Sequence, residues 1–256
     1  MTDLDHVAIA TIDANATLST LVGDLGGTCV YGGDGYGFRW VQVRLGNVKE
    51  GMTIEVLVTW KPEVNDFLAR FLARSGPAQH HITFKVSDLA ATLERVAAAG
   101  IKPVGIDLSN PGWREAFLVP REAHGTVVQL AETSGDGWTM ADTLAQAEES
   151  SQPQGNPIWW DALPVRNADR VTLRQAVLVT PALQSATDFF CGLLDGEVEE
   201  SGDDHTGLVW PGGGRICLEH RVNQAAGVNR LDGYRDGEPL DSTIAGTRFN
   251  ITSRNP

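Results

Sequence analysis

DHVAIATIDANATLSTLVGDLGG (5–27) and HHITFKVSDLAATLERVAAAG (80–100) are two copies of one pattern. Laid over each other, they match His6 with His81, Asp13 with Asp88, Thr17 with Thr92 and Leu18 with Leu93. Each copy reads as an alternating strand, a polar turn whose Asp can cap the next element, and an amphipathic helix ended by Gly. An internal repeat of this size decides the fold, because one supersecondary unit is then used more than once. After the first helix come TCVYGG, GFRWVQVRL and GMTIEVLVTW, and after the second IKPVGID, REAFLVP and GTVVQLAE. Each set gives three β-rich segments punctuated by Gly, Pro or Asn. The unit is therefore βαβββ, and the chain is α+β, with repeated modules forming curved open sheets.

A third copy runs through TLRQAVLVT (172–180), PALQSATDFFCGLLDG, EVEES, TGLVW and GRICLEHRV. After Arg221 the pattern dissolves, and only TRFNITS (247–253) reads as a strand of a truncated fourth unit. Between copies two and three, residues 134–157 are polar, with two prolines near the end, and read as a linker with one short helix. The expected organisation is a pair of modules over 1–133, the linker 134–157, and a degenerate module over 158–256. Trp159 and Trp160 either anchor the linker or serve as core aromatics.

The net charge of -13 opposes nucleic acid and anionic membrane surfaces as partners. No apolar run approaches the roughly 20 residues of a membrane span, and the start lacks a secretory pattern, so a cytoplasmic protein is expected. Three cysteines without CxxC spacing suggest neither a disulfide framework nor a thiolate zinc site.

Alternate residues of a strand share a face. Ala8 and Ala10 follow His6 on its face, and Thr83 and Lys85 follow His81, while Ile82, Phe84 and Val86 point away. Glu55 interrupts the apolar run of TIEVLVTW and Gln129 that of GTVVQLAE, at nearly the same displacement from their histidines. A duplicated unit with pseudo-twofold symmetry brings His6, Glu55, His81 and Gln129 to one place. Two imidazoles, a carboxylate and an amide oxygen suit one divalent ion of the Co, Mn, Ni, Zn or Fe kind. Lys85 is a candidate base or anion holder if a neighbouring cation depresses its pKa.

Trp40 and Arg44 share the face of Gln42, Phe117 supplies an apolar wall, and NPGWRE (110–115) reads as a loop offering Trp113 and Arg114 to a substrate. In the third copy Gln175 stands at the His6 position and Glu219 near that of Glu55, so that module is expected to lack metal ligands. Its expected role is a lid, a partner surface of a homodimer, or cover for a sheet edge.

HVAIA, TIEVLV, HHITFKVSDL and HGTVVQL resemble the vicinal oxygen chelate superfamily, which includes glyoxalases, bleomycin-resistance proteins and extradiol dioxygenases. Methylmalonyl-CoA epimerases are similar through HVAIA, the His-His pair and the HG-plus-strand ending. The resemblance implies paired βαβββ modules around one metal held by His6, Glu55, His81 and Gln129, with His80 as an outward or supporting neighbour. It also implies a carboxylate at positions 42 and 129 for a two-base epimerase. This chain has Gln42 and Gln129 there, and an amide is no general base at neutral pH.

Glu55 is then the base that relatives of this kind can release from the metal. The implied activity is that of an isomerase (epimerase or racemase) or related lyase acting on a carbonyl or vicinal-oxygen small molecule through a metal-stabilised enolate. The alternatives are a non-haem Fe(II) extradiol-type dioxygenase and a non-catalytic binding or resistance protein.

Overall fold

The computed structural model describes residues 1–134, 140–150 and 170–254. The Trp159–Trp160 pair lies outside the described residues. The first module comprises β1 (Thr2–Thr11), α1 (Ala14–Leu18), β2 (Thr28–Asp34), β3 (Phe38–Gly46) and β4 (Gly51–Thr59). A π-helical turn, Ser19–Asp24, continues α1. A helix with no counterpart in the repeat, α2 (Phe67–Ser75), leads to the second module: β5 (Ala78–Val86), α3 (Leu89–Ala98), β6 (Val104–Asp107), β7 (Arg114–Leu118) and β8 (Val127–Glu132). After α4 (Met140–Ser150) the third module follows: β9 (Thr172–Thr180), α5 (Leu183–Gly192), β10 (Glu197–Ser201), β11 (His205–Val209) and β12 (Arg215–His220). The truncated fourth holds β13 (Gly227–Arg235), β14 (Leu240–Ile244) and β15 (Thr247–Ser253).

Among the described residues the strands form two curved open sheets, ordered β2-β3-β4-β1-β5-β8-β7-β6 and β10-β11-β12-β9-β13-β15-β14. The duplicated caps recur atom for atom. Asp13 accepts from Ala16 N at 2.9 Å and Asp88 from Ala91 N at 2.8 Å. The hydroxyls of Thr17 and Thr92 donate to the carbonyls of those same aspartates, each at 2.8 Å. Gly26 and Gly100 follow the two helical segments with φ of 68° and 78°, a conformation that costs a residue without a Cβ little.

Where the sequence suggested one strand after Arg221, three are present. Along β13 the buried positions are Gly227, Leu231 and Gly233, so the inward face carries almost no apolar signal. Gly233 passes so close to Thr172 that an added Cβ would lie 2.6 Å from its carbonyl oxygen. Backbone pairing, rather than side-chain burial, holds this strand in place.

The chain divides into two compact units, each drawing on segments before and after the linker. One comprises Met1–His6, His81–Asp136 and Gln175–Arg230. Its core is aromatic: Phe84 of β5 lies 5.1 Å from Trp210 and 6.1 Å from Phe190 of α5, ring to ring, and the Trp210 indole donates to Leu194 O at 2.7 Å. The other comprises Val7–His80, Gly137–Arg174 and Leu231–Pro256. There Leu144 and Ala147 of α4 bury against Val30 of β2, and Phe38, Trp40, Phe67, Phe71 and Leu72 pack around Ala8, Ala10, Leu57 and Leu68. No helix among the described residues is long and apolar enough to cross a membrane.

Phe84 is fully buried among two aromatic partners. Phe84→Ala removes a large apolar surface and leaves a cavity, and chemical denaturation is expected to report a loss of about 3–5 kcal/mol.

Candidate metal centre

The parallel pairing of β5 with β8 sets Thr83 opposite Gln129, with His81 opposite Val127 and Lys85 opposite Ala131. On the other side of β8, β7 sets Phe117 opposite Gln129 and Glu115 opposite Ala131. Side chains two apart share a face, so His81, Thr83, Lys85, Gln129, Glu115 and Phe117 all belong to one face of the sheet. Phe84 and Val86 go to the opposite, core side with Leu118, Val128 and Leu130, all buried.

On that face the polar groups form one continuous chain. Lys85 Nζ lies 2.8 Å from Asp5 Oδ1, and Asp5 Oδ2 lies 2.7 Å from His6 Nδ1. His6 Nε2 lies 2.8 Å from Thr83 Oγ1, and Thr83 donates to Gln129 Oε1 at 2.6 Å. Gln129 Nε2 donates to Glu115 Oε2 at 2.7 Å, and Trp113 Nε1 donates to the same oxygen at 2.8 Å. Lys85 Nζ stands 6.0 Å over the Trp113 ring, which closes the circuit.

Burial acts to raise the Asp5 carboxyl, but the Lys85 ammonium and then His6 outweigh it and hold the group well below the usual carboxylate range. Asp5 is therefore an ionised acceptor, and His6 gives it the Nδ1 proton. A neutral imidazole so held keeps its lone pair on Nε2, the arrangement in which a carboxylate orients a metal-binding histidine. Lys85, half exposed, is held at this site by its ion pair with Asp5.

Thr83 uses its one hydroxyl hydrogen in donating to Gln129 Oε1, so toward His6 Nε2, 2.8 Å away, it offers an oxygen lone pair. His81 joins this group with its ring 5.7 Å from that of His6, and Phe117 flanks His81 at 6.3 Å. One ligand atom from each of His6, Glu55 and His81 lies within 4.8 Å of the others. Ligands around one ion at bonds of about 2.0–2.2 Å stand at most about 4.4 Å apart, so small side-chain adjustments suffice. The residues fit a divalent ion of the kind that imidazole and carboxylate ligands favour.

Gln42 pairs directly with Glu55 across β3 and β4, and its amide lies 3.4 Å from Glu55 Oε1. The small side chains of Ala8 and Ala10 on the next strand leave room for α2, whose Phe67, Phe71 and Leu72 settle there beside Trp40. His80 is held by this helix, with ring distances of 4.6 Å to Phe71 and 5.8 Å to Phe67. Burial pushes its pKa down to about 4; the charge of Glu55 opposes the shift and that of Arg74 adds to it.

One expected substrate contact stands on the other face, and a second is engaged by its own hairpin. Arg114 pairs with Glu132 at 2.9 Å, and Glu132 also accepts from Leu89 N at the start of α3, so Arg114 belongs to the helix-covered face, away from Gln129. Arg44 is buried, with its guanidinium donating to Asn47 O and to Thr53 Oγ1. Trp113 reaches the face through Glu115.

In the third module the register pairs Cys217 with Val177, the rung that Gln129 and Thr83 occupy in the second. Glu219 lies two residues further along and accepts from Arg221 at 3.0 Å and Arg230 at 2.7 Å. The sequence reading missed Asp5, Thr83 and Glu115. Asp5 directly precedes His6, and Glu115 sits two residues before Phe117; these spacings were the only available signals.

Residues 5–117 match the model of a family described as Glyoxalase/Bleomycin resistance protein/Dioxygenase superfamily. Over 99% of its length the chain is similar to all of a hypothetical protein from Staphylococcus aureus, with a TM-score of 0.66 at 12% identity. It is also similar, over 53% of its length, to 96% of the hypothetical protein BH1468 from Bacillus halodurans C-125, with a TM-score of 0.47 and 24% identity. Over 52% of its length it is similar to 89% of methylmalonyl-CoA epimerase from Mycobacterium tuberculosis, with a TM-score of 0.45 and 24% identity. At 12% identity the likeness to the Staphylococcus aureus protein is one of fold. No curated protein matches the chain.

A depressed His80 means that the unfolded chain binds more protons than the folded one between about pH 6.5 and 4. Stability is therefore expected to fall as pH falls through that window. Urea unfolding at pH 7 and pH 5 should show a smaller pH dependence in His80→Gln than in the unaltered protein.

Proposed function

We propose that the protein, whose residues 5–117 match the model of the glyoxalase/bleomycin resistance protein/dioxygenase superfamily, is a metal-dependent isomerase, or a related lyase, acting on a small molecule with a carbonyl or vicinal oxygens. The observation that carries this reading is the convergence of His6, Glu55 and His81 within 4.8 Å. His6, Glu55, His81 and Gln129 would hold a divalent ion, which would supply Lewis-acid polarisation of a substrate carbonyl.

The protein's own part is one-base chemistry. Glu55, released from the ion, takes the proton from the hydroxyl-bearing carbon next to the carbonyl and returns it to the carbonyl carbon, while the hydroxyl proton passes to the former carbonyl oxygen, which completes an isomerisation. Gln42, opposite Glu55 and with its amide 3.4 Å from Oε1, steadies that carboxylate by hydrogen bonding. Gln129 cannot serve as the second base that an epimerase would use. Phe117 beside His81, and Trp40 beside Leu57, present apolar surface to the carbon skeleton of the substrate.

The same trio has the two-histidine, one-carboxylate composition of non-haem Fe(II) oxygenases, which supports a second reading as a ring-cleaving dioxygenase.

The purified protein is expected to carry about one divalent ion per chain, with His6→Ala and His81→Ala each abolishing it. With Co, Mn, Ni or Zn, carbonyl substrates should exchange deuterium from solvent, and Glu55→Gln should lose that exchange by at least about 100-fold, the usual scale of a general base. Iron with oxygen consumption and no exchange would select the dioxygenase. Ligand binding with neither reaction would leave a binding protein.

A further inference from the structure

We propose that Glu115 is a positioning residue that locks the Gln129 amide with its oxygen toward the His6–His81 pair, making residue 129 a neutral oxygen ligand. The inference rests on the metal-binding reading above and concerns a residue outside the ligand set. An amide has two ends of similar shape, one donating and one accepting, and only its hydrogen-bond partners decide which way it faces. Here both partners give the same answer. Glu115 Oε2 can only accept while ionised, and it receives Gln129 Nε2 at 2.7 Å; Thr83 donates to Gln129 Oε1 at 2.6 Å.

The position of Glu115 is itself enforced. The Trp113 indole has a donor and no acceptor, and it meets the same carboxylate oxygen at 2.8 Å. Strand register supplies the reach, since Glu115 precedes by two residues the Phe117 that pairs with Gln129. The arrangement also explains why position 129 carries an amide. A carboxylate there would stand about as close to Glu115 as the amide now does, and two ionised carboxylates so placed repel strongly. Gln129 and Glu115 are thus one unit: the charge resides on β7, and the oriented neutral oxygen on β8.

Outer partners of this kind usually alter metal affinity by about 10–100-fold when removed. The test is a calorimetric titration of the metal-free full-length protein with Co²⁺, read together with the Co²⁺ absorption spectrum. Glu115→Leu, which leaves no acceptor, is expected to bind Co²⁺ at least about tenfold more weakly, with a changed spectrum. Glu115→Gln can still offer an amide oxygen and should fall between Leu and the unaltered protein.

Co²⁺ affinity and spectrum in Glu115→Leu equal to those of the unaltered protein would overturn the proposal. Should Glu115→Leu fail to fold by circular dichroism, the exchange variant Glu115→Gln with Gln129→Glu decides. In it the donation reverses with every group still paired, so binding at least as tight as in the unaltered protein is expected, and weakened binding would overturn the inference. If the unaltered protein itself takes up no Co²⁺, the metal-binding reading fails, and this inference fails with it.

Discussion

Thr83 opposite Gln129 is the contact on which the rest of the site depends. The parallel register of β5 and β8 places a fully buried hydroxyl between an imidazole and an amide, 2.8 Å from one and 2.6 Å from the other. A hydroxyl has one proton to give, so giving it to Gln129 leaves an oxygen lone pair facing His6 Nε2. Buried polar groups are costly unless satisfied, and a proton on His6 Nε2 or a cation beside it would satisfy this junction. A slip of β5 by one residue against β8 would turn Thr83 to the core face.

The ends of the network consist of groups whose roles cannot reverse. Asp5 and Glu115 are acceptors, and Lys85 and Trp113 are donors. Direction therefore propagates inward from both ends, setting the His6 tautomer on one side and the Gln129 orientation on the other. Arg114, by contrast, is drawn with Glu132 to the start of α3. That pair serves the helix face of the sheet, and the alternation of β7 separates it from Glu115 by one residue.

Much of this was legible in the sequence because the module is duplicated. The matching of His6 with His81 and of Asp13 with Asp88 carried the fold, and the recurrence of a polar residue in each last strand pointed to the candidate ligands. What escaped did so for identifiable reasons. The helix α2 lies between copies, so no repeat pointed to it, although Phe67, Leu68, Phe71 and Leu72 have helical spacing. The strand β13 turns glycines inward and gives no apolar signal. Glu219 was placed near the ligand position by counting along the strand, whereas pairing puts Cys217 on that rung, because small offsets in a degenerate copy are invisible without the partner strand.

The sequence by itself determined the βαβββ repeat, the two capped helix starts and the identities of the histidines, because these are local patterns or repetitions of them. Only the tertiary structure decided which partners His6 and Gln129 meet, Asp5 for the one and Glu115 for the other. Hydrogen-bond direction is a property of pairs. The partners here come from β1, β5, β7 and β8, strands that meet through sheet register and not through nearness in the chain.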